Sequence, residues 1–329
     1  MNRRNVLLGG AAAAACAPTG VAAPAPPFPM RRGVNLGNAL EAPNEGEWGY
    51  RIEPDHLRAI AGAGFDGVRL PVRWDERTAG EPPYLVLPFF QRRITEIVET
   101  CAGLGLRLQI DCHHYNALID NPEVERARFL AIWRNVAALL RDAPPSVIFE
   151  PLNEAHGARW NGAALRQLQA QAIAAIRESN PTRLVVVGPG DWQHIDALDG
   201  WRPPQDDNIA VSAHYYEPHA FTHQGAEWLA NPPHFDRAWG TREDRQRVMQ
   251  DIERAARWGA AHGFSVQLGE FGVNAAAPIQ QRAAWTRMVR EACEANGLGW
   301  CVWDFAGAFP IFDRENGDFI PLMRDALFA

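Results

Sequence analysis

Val147-Ile-Phe-Glu-Pro-Leu-Asn-Glu154 runs as a short apolar strand and ends on an amide and a carboxylate. Ser265-Val-Gln-Leu-Gly-Glu-Phe-Gly272 repeats the pattern later in the chain, with Glu270 near its end. Packing alone gives little reason for a carboxylate there. In a parallel sheet or barrel, the carboxyl ends of strands are where functional loops gather. Working outward from these two phrases, strand-like runs also begin near Arg32, Gly64, Leu106, Leu184, Ile209 and Gly299, which makes eight in all. Helical periodicity separates them: Phe90, Ile94, Ile97, Val98 and Cys101 share one face, as do Phe129, Ile132, Trp133, Val136, Leu139 and Leu140. Pro54 suits a first helical position, and Gly64, Gly105 and Gly297 suit helix ends. Eight β-then-α units without a linker predict a single (β/α)8 TIM barrel. The rival doubly wound sheet needs an early phosphate-binding turn, and Gly33-Val-Asn-Leu-Gly37 lacks the GxGxxG spacing.

The bulk composition is consistent with one large domain. The chain has 329 residues, 47% hydrophobic and 22% charged, and a barrel of roughly 250 residues or more would use nearly all of it. A net charge of −7 without a basic stripe argues against nucleic acid as a partner. Residues 1–23 read as an export signal: Arg3-Arg4 precede Val6-Leu7-Leu8 and an alanine-rich stretch, and Val21-Ala22-Ala23 offers a cleavage site. This segment is too short and too weakly apolar to span a membrane. The paired arginines suggest twin-arginine export, hence a periplasmic or secreted protein. Lipidation at Cys16 is the less favoured alternative, because the usual larger aliphatic residue three positions earlier is missing. Residues 24–31 read as a poorly ordered proline-rich spacer, and residues 32–329 as one catalytic domain, expected to act as a monomer. Cys101, Cys112, Cys293 and Cys301 lie in strand-like runs or on apolar helix faces, so buried free thiols are expected. No CxxC spacing marks a metal site.

Each inferred strand end carries a polar or aromatic group. These are Arg69, Asp111-Cys-His-His-Tyr115, Asn153-Glu154, His214-Tyr-Tyr216, Glu270, and Trp303 within Trp300-Cys-Val-Trp-Asp304. Singly, each has an ordinary structural explanation, such as ion pairing for Arg69 or hydrogen bonding for a histidine. Together, at the carboxyl ends of one barrel, they suit cleavage of a glycosidic bond. That reaction needs one neutral and one ionised carboxyl at the same pH. Arg69 and the Tyr216 hydroxyl are expected to hold one glutamate ionised, and that charge to raise the pKa of the other. The Asn153 amide would meet a sugar hydroxyl, and Trp303 would form the floor under a pyranose ring. Twelve tryptophans exceed core needs and suggest stacking surfaces. The candidates are Trp48, Tyr115, Trp160, Trp192, Trp228 and Trp239, with Trp48, Trp192 and Trp303 first; Trp133, Trp258 and Trp285 fall within helices and suit packing. Residues 217–244 form too long a connection to be ordinary and are read as a loop on the active face.

On these residues the chain resembles glycoside hydrolase family 5, a family of retaining (β/α)8 glycosidases with glutamates ending strands 4 and 7. The resemblance runs from about Arg32 to about Phe312 and includes Gly33-Val-Asn-Leu-Gly-Asn-Ala-Leu-Glu-Ala42, similar to the opening of the family's bacterial endoglucanases. It implies Glu154 as acid/base and Glu270 as nucleophile, with Arg69, His113, Asn153, His214 and Tyr216 in support and no cofactor. Asn35 and His114 join the aromatics as expected sugar contacts. Ala155 departs from the proline common after the family's strand-4 glutamate, which puts substrate preference in doubt rather than activity. The resemblance implies an endo-β-glycanase on a polysaccharide or oligosaccharide, with β-1,4-glucan or mixed-linkage glucan favoured by the first-strand phrase. Mannan, glucomannan and xyloglucan stay open, as does a non-catalytic sugar-binding barrel. A zinc hydrolase using His113, His114 and His214 would want a first-strand His-x-His, which is missing. A serine hydrolase would want Gly-x-Ser-x-Gly, which does not occur.

Overall fold

Side chains alternate between the two faces of a strand, and here the two faces have different chemistry. The strands are β1 (Arg32–Asn35), β2 (Gly67–Val72), β3 (Arg107–Cys112), β4 (Val147–Glu150), β5 (Val185–Val187), β6 (Ile209–Tyr215), β7 (Val266–Phe271) and β8 (Gly299–Val302). In this computed structural model, which describes residues 26–160, 162–234 and 237–329, they pair in parallel, in chain order, and β8 returns to β1 to close the barrel. One set of alternating residues, including Val34, Val68, Leu108, Phe149, Val185, Val211, Leu268 and Trp300, is buried with the helices in the main apolar cluster. The other set contains Asn35, Arg69, Gln109, Glu150, Ser212 and Gln267, all buried and all polar. Apolar burial against the helices supports the barrel, while its interior toward the carboxyl ends of the strands is left for polar chemistry.

The helices are α1 (Pro54–Ala63), α2 (Pro88–Gly103), α3 (Asn116–Asp120), α4 (Pro122–Leu139), α5 (Ala163–Arg177), α6 (His219–Thr222), α7 (Arg242–His262), α8 (Ile279–Ala295) and α9 (Pro321–Phe328). Proline opens α1, α2, α4 and α9, where its missing N–H costs no helical bond. Two expectations change. Gly64 ends α1 in the left-handed conformation (φ 101°), so β2 begins at Gly67 rather than at Gly64. The fifth unit has no α-helix: a 3-10 turn at Ile195–Leu198 takes its place. Gly188-Pro-Gly190 and Gly200-Trp-Arg-Pro-Pro204 punctuate that connection and leave no room for a longer helix.

The second half of the 24–31 stretch, expected as a poorly ordered spacer, is part of the barrel. Phe28 and Met30 are buried with Ile148, Val186, Ala210 and Cys301 in a second apolar cluster. A Cβ at Gly33 or Gly67 would press on the Met30 sulfur, and one at Gly299 would press on Phe28, so glycines at strand starts make space for this plug. The four cysteines expected as free thiols are buried and unpaired. The export signal and Cys16 lie outside the described residues. Met30→Ala should lower unfolding stability by about 2–5 kcal/mol, as for other buried large-to-small changes. Urea titration would measure this, and activity per folded molecule should be retained.

Candidate active site

Arg69 sits in the barrel interior with no exposed surface. Its Nε donates to Glu150 Oε2 (2.7 Å), Nη1 to Glu270 Oε1 (2.7 Å) and Asn35 Oδ1 (2.9 Å), and Nη2 to Asn153 Oδ1 (2.7 Å). Nη2 also lies 3.0 Å from Asp111 Oδ2. One guanidinium therefore faces three acids, and they respond differently. Burial opposes ionisation of Glu150, but the Arg69 charge, its hydrogen bond and the Gln109 amide hold that carboxyl below its usual range. Burial wins at Asp111, whose pKa is driven well up despite Arg69. His113 is kept neutral by burial and then by the Arg69 charge. It spans Asp111 Oδ1 (3.1 Å) and the Asn153 amide (3.4 Å).

Glu154 and Glu270 face each other across His214. His214 Nδ1 is 2.8 Å from Glu154 Oε1 and 3.6 Å from Glu270 Oε2. A register shift between β6 and β7 at Ala213/His214 brings His214 opposite Glu270. Burial lifts both glutamates to about 7. Their mutual repulsion adds to this at Glu270, while His214, Arg69 and the Tyr216 hydroxyl oppose it. Two such carboxyls hold one proton between them near neutrality. Glu270 accepts from Arg69 on one oxygen and from Tyr216 (2.9 Å) on the other, which favours its ionised form. Glu154 Oε1 meets His214, and its side chain is 27% exposed against 5% for Glu270.

A cavity of about 560 Å³ opens over this pair, within the usual range of ligand sites. Trp303 lies in its wall, stacked on His113 with ring centres 5.6 Å apart. A Cβ on Gly37 would come within 2.8 Å of that indole, so the glycine gives the ring its place. Trp48, His114 and Trp228 also line the cavity, and Trp228 packs on Phe309. Trp192 is exposed and stacks on His156 at 4.6 Å, and it is not among the residues that line the cavity. Three stacking expectations fail. Tyr115 is buried with its hydroxyl on Glu125 (2.7 Å), Trp160 is buried with its indole on the Ile119 carbonyl (2.9 Å), and Trp239 is buried under Arg245. Asn35 is wholly buried and donates to the Gly269 carbonyl (3.0 Å), so it braces Arg69 instead of reaching sugar.

Among the described residues, Glu154, His214 and Glu270 bring single donor atoms within 4.8 Å, close enough for a metal ion. Both oxygens of Glu270 already accept from Arg69 and Tyr216, which speaks against that use. The His113, His114 and His214 set does not form such a group. Glu150, Gln109 and Gln193 were not among the sequence candidates. Glu150 and Gln109 follow the inward alternation of β4 and β3 and were legible that way. Gln193 lies in a loop without periodicity.

Residues 31–308 match the profile of the cellulase family, glycosyl hydrolase family 5. The chain belongs to glycosyl hydrolase family 5. Endoglucanase H of Acetivibrio thermocellus is 30% identical over 313 residues, covering 92% of this chain and 33% of that protein. Endoglucanase 3 of Fibrobacter succinogenes is 24% identical over 91% of the chain and 52% of its own length. The chain thus spans about a third to a half of these curated relatives. Cel5A of Thermotoga maritima, solved with mannotriose and with cellobiose, superposes with a TM-score of 0.87 at 33% identity, over 91% of this chain and 97% of that one.

In this family 5 barrel, Arg69→Met should cost about 3–5 kcal/mol, since it leaves buried carboxylates without their cation. Those groups then hold protons more tightly in the folded state than in the unfolded one. Such stabilisation is present in acid and lost as pH rises through the raised pKa values. The deficit against wild type should therefore be smallest in acid and largest above neutrality, as measured by denaturant midpoints across pH.

Proposed function

We propose that the chain is a retaining endo-β-1,4-glucanase, acting on cellulose-like or mixed-linkage β-glucan. The observation that carries this is the approach of the Glu154 and Glu270 donor oxygens to within 4.8 Å. Retaining glycosidases hold their carboxyls about 5–5.5 Å apart, whereas inverting ones leave room for a water at roughly 6.5–9.5 Å. Family membership and the endoglucanase names of its relatives support the substrate.

In the proposed sequence, Glu270 attacks the anomeric carbon while the glycosidic C–O bond breaks. The leaving oxygen takes the Glu154 proton, and a glycosyl ester forms on Glu270. Glu154, now ionised, removes a proton from water; the water attacks the same carbon, and the ester bond breaks with the β configuration restored. Arg69 and Tyr216 stabilise the returning carboxylate. Asn153 and His113 border the sugar, and Trp303, Trp48, Trp192 and Trp228 offer ring-stacking faces, with His114 alongside. The active unit is read as a monomer. Export through residues 1–23, followed by a short proline-rich lead and a barrel domain that already includes Phe28 and Met30, completes the reading. No helix among the described residues is long and apolar enough to cross a membrane.

Proton NMR of fresh digests of barley β-glucan and carboxymethyl cellulose should show the β-anomer first. An initial α-anomer would overturn retention. Glu270→Ala should reduce kcat by roughly 10⁴-fold or more, as loss of a nucleophile does, with substrate binding retained. The wild-type kcat/KM profile should be bell-shaped around the raised values near 7. Its alkaline limb reports loss of the Glu154 proton, so Glu154→Gln should erase that limb.

A further inference from the structure

Glu154 is a non-glycine residue in the left-handed region, with φ 48°. That backbone aims its carboxyl into the cavity, and something must hold it there. The loop after β5 supplies the hold. Gln193 Oε1 accepts the Glu154 N–H at 2.7 Å, and its Nε2 donates to Glu150 Oε1 at 3.2 Å. The Gln193 carbonyl accepts the His214 N–H at 2.8 Å, and His214 is the ring that meets Glu154 Oε1. Trp192 N–H reaches the Ala155 carbonyl at 3.3 Å. One buried side chain thus joins the acid/base glutamate to the Arg69 cluster through Glu150.

The way the loop delivers this amide is unusual. Asp191, Trp192 and Gln193 are three successive non-glycine residues in the left-handed region, at φ 56°, 55° and 54°. Such residues normally occur singly. Gly188 adds a second accommodation, since a Cβ there would fall 2.5 Å from Gln193 Nε2. Merely satisfying one buried N–H would not require this route.

We propose that Gln193 is a positioning residue for Glu154, fixing the backbone from which the proton is delivered to the leaving sugar. This rests on the retaining reading above. A dinitrophenyl leaving group departs without a proton, whereas a sugar needs one, so the two substrates separate acid positioning from general damage. For Gln193→Met, kcat/KM on cellotetraose should fall roughly 10–100-fold, the scale of a misplaced catalytic group. On 2,4-dinitrophenyl β-cellobioside, kcat/KM should stay close to wild type. Gln193→Glu should match wild type in acid, where a protonated side chain can both accept from Glu154 N–H and donate to Glu150. It should resemble Gln193→Met in alkali, each ratio taken against wild type at the same pH. Equal losses on both substrates, or no loss on either, would overturn the assignment. If Gln193→Met does not fold, a pH-independent substrate ratio for Gln193→Glu overturns it instead. A wild-type enzyme that cleaves neither substrate, or that inverts, would sink the retaining reading itself, an outcome visible before any variant is compared.

Discussion

Arg69 is the constraint around which the barrel interior is arranged. A buried guanidinium must have its donors met, and here Asn35, Glu150, Asn153 and Glu270, from three strands or their ends, meet them. Gln267 extends the network by donating to Gln109 (3.0 Å), which in turn donates to Glu150. Each partner is fixed by the others, and the Glu154–Glu270 pair inherits that rigidity.

Such an interior costs stability, because polar groups leave water without the gain of apolar burial. The compensation is spatially separate. The outward residues of the strands pack against the helices, and Phe28 and Met30 close the opposite end with an apolar plug. Burial is also what lifts Glu154 and Glu270 together to about 7, so one proton can be shared at neutral pH. The same exclusion of water that strains the interior thus prepares its chemistry.

Around that centre the cavity is adaptable where the interior is not. Trp48, Trp192 and Trp228 stand partly exposed on separate loops, while Trp303 is held by Gly37 and His113. The floor belongs to the strand ends, and the exposed indoles belong to the loops. Substrate preference within the family can therefore change with the loops while Arg69 and its partners stay put.

Alternation along β2, β3, β4, β6 and β7 made the barrel and its strand-end groups legible, because a period of two and a position in the strand are local properties. Arg69, Glu154 and Glu270 could be singled out on that basis. Tyr115, Trp160 and Trp239 could not be sorted from Trp48, since whether an aromatic faces a cavity or a helix is decided by neighbours distant in sequence. Asn35 was misjudged for the same reason: only the closed barrel brings Arg69 and the Gly269 carbonyl against it. Met30 needed three strand-start glycines to reveal its place. Gln193 needed a loop of left-handed residues with no pattern to announce it. The sequence by itself determined the fold class and the residues at the strand ends. Tertiary structure alone decided which groups touch Arg69, which proton is shared, and which side chain holds Glu154, because those depend on contacts that form only when the barrel closes.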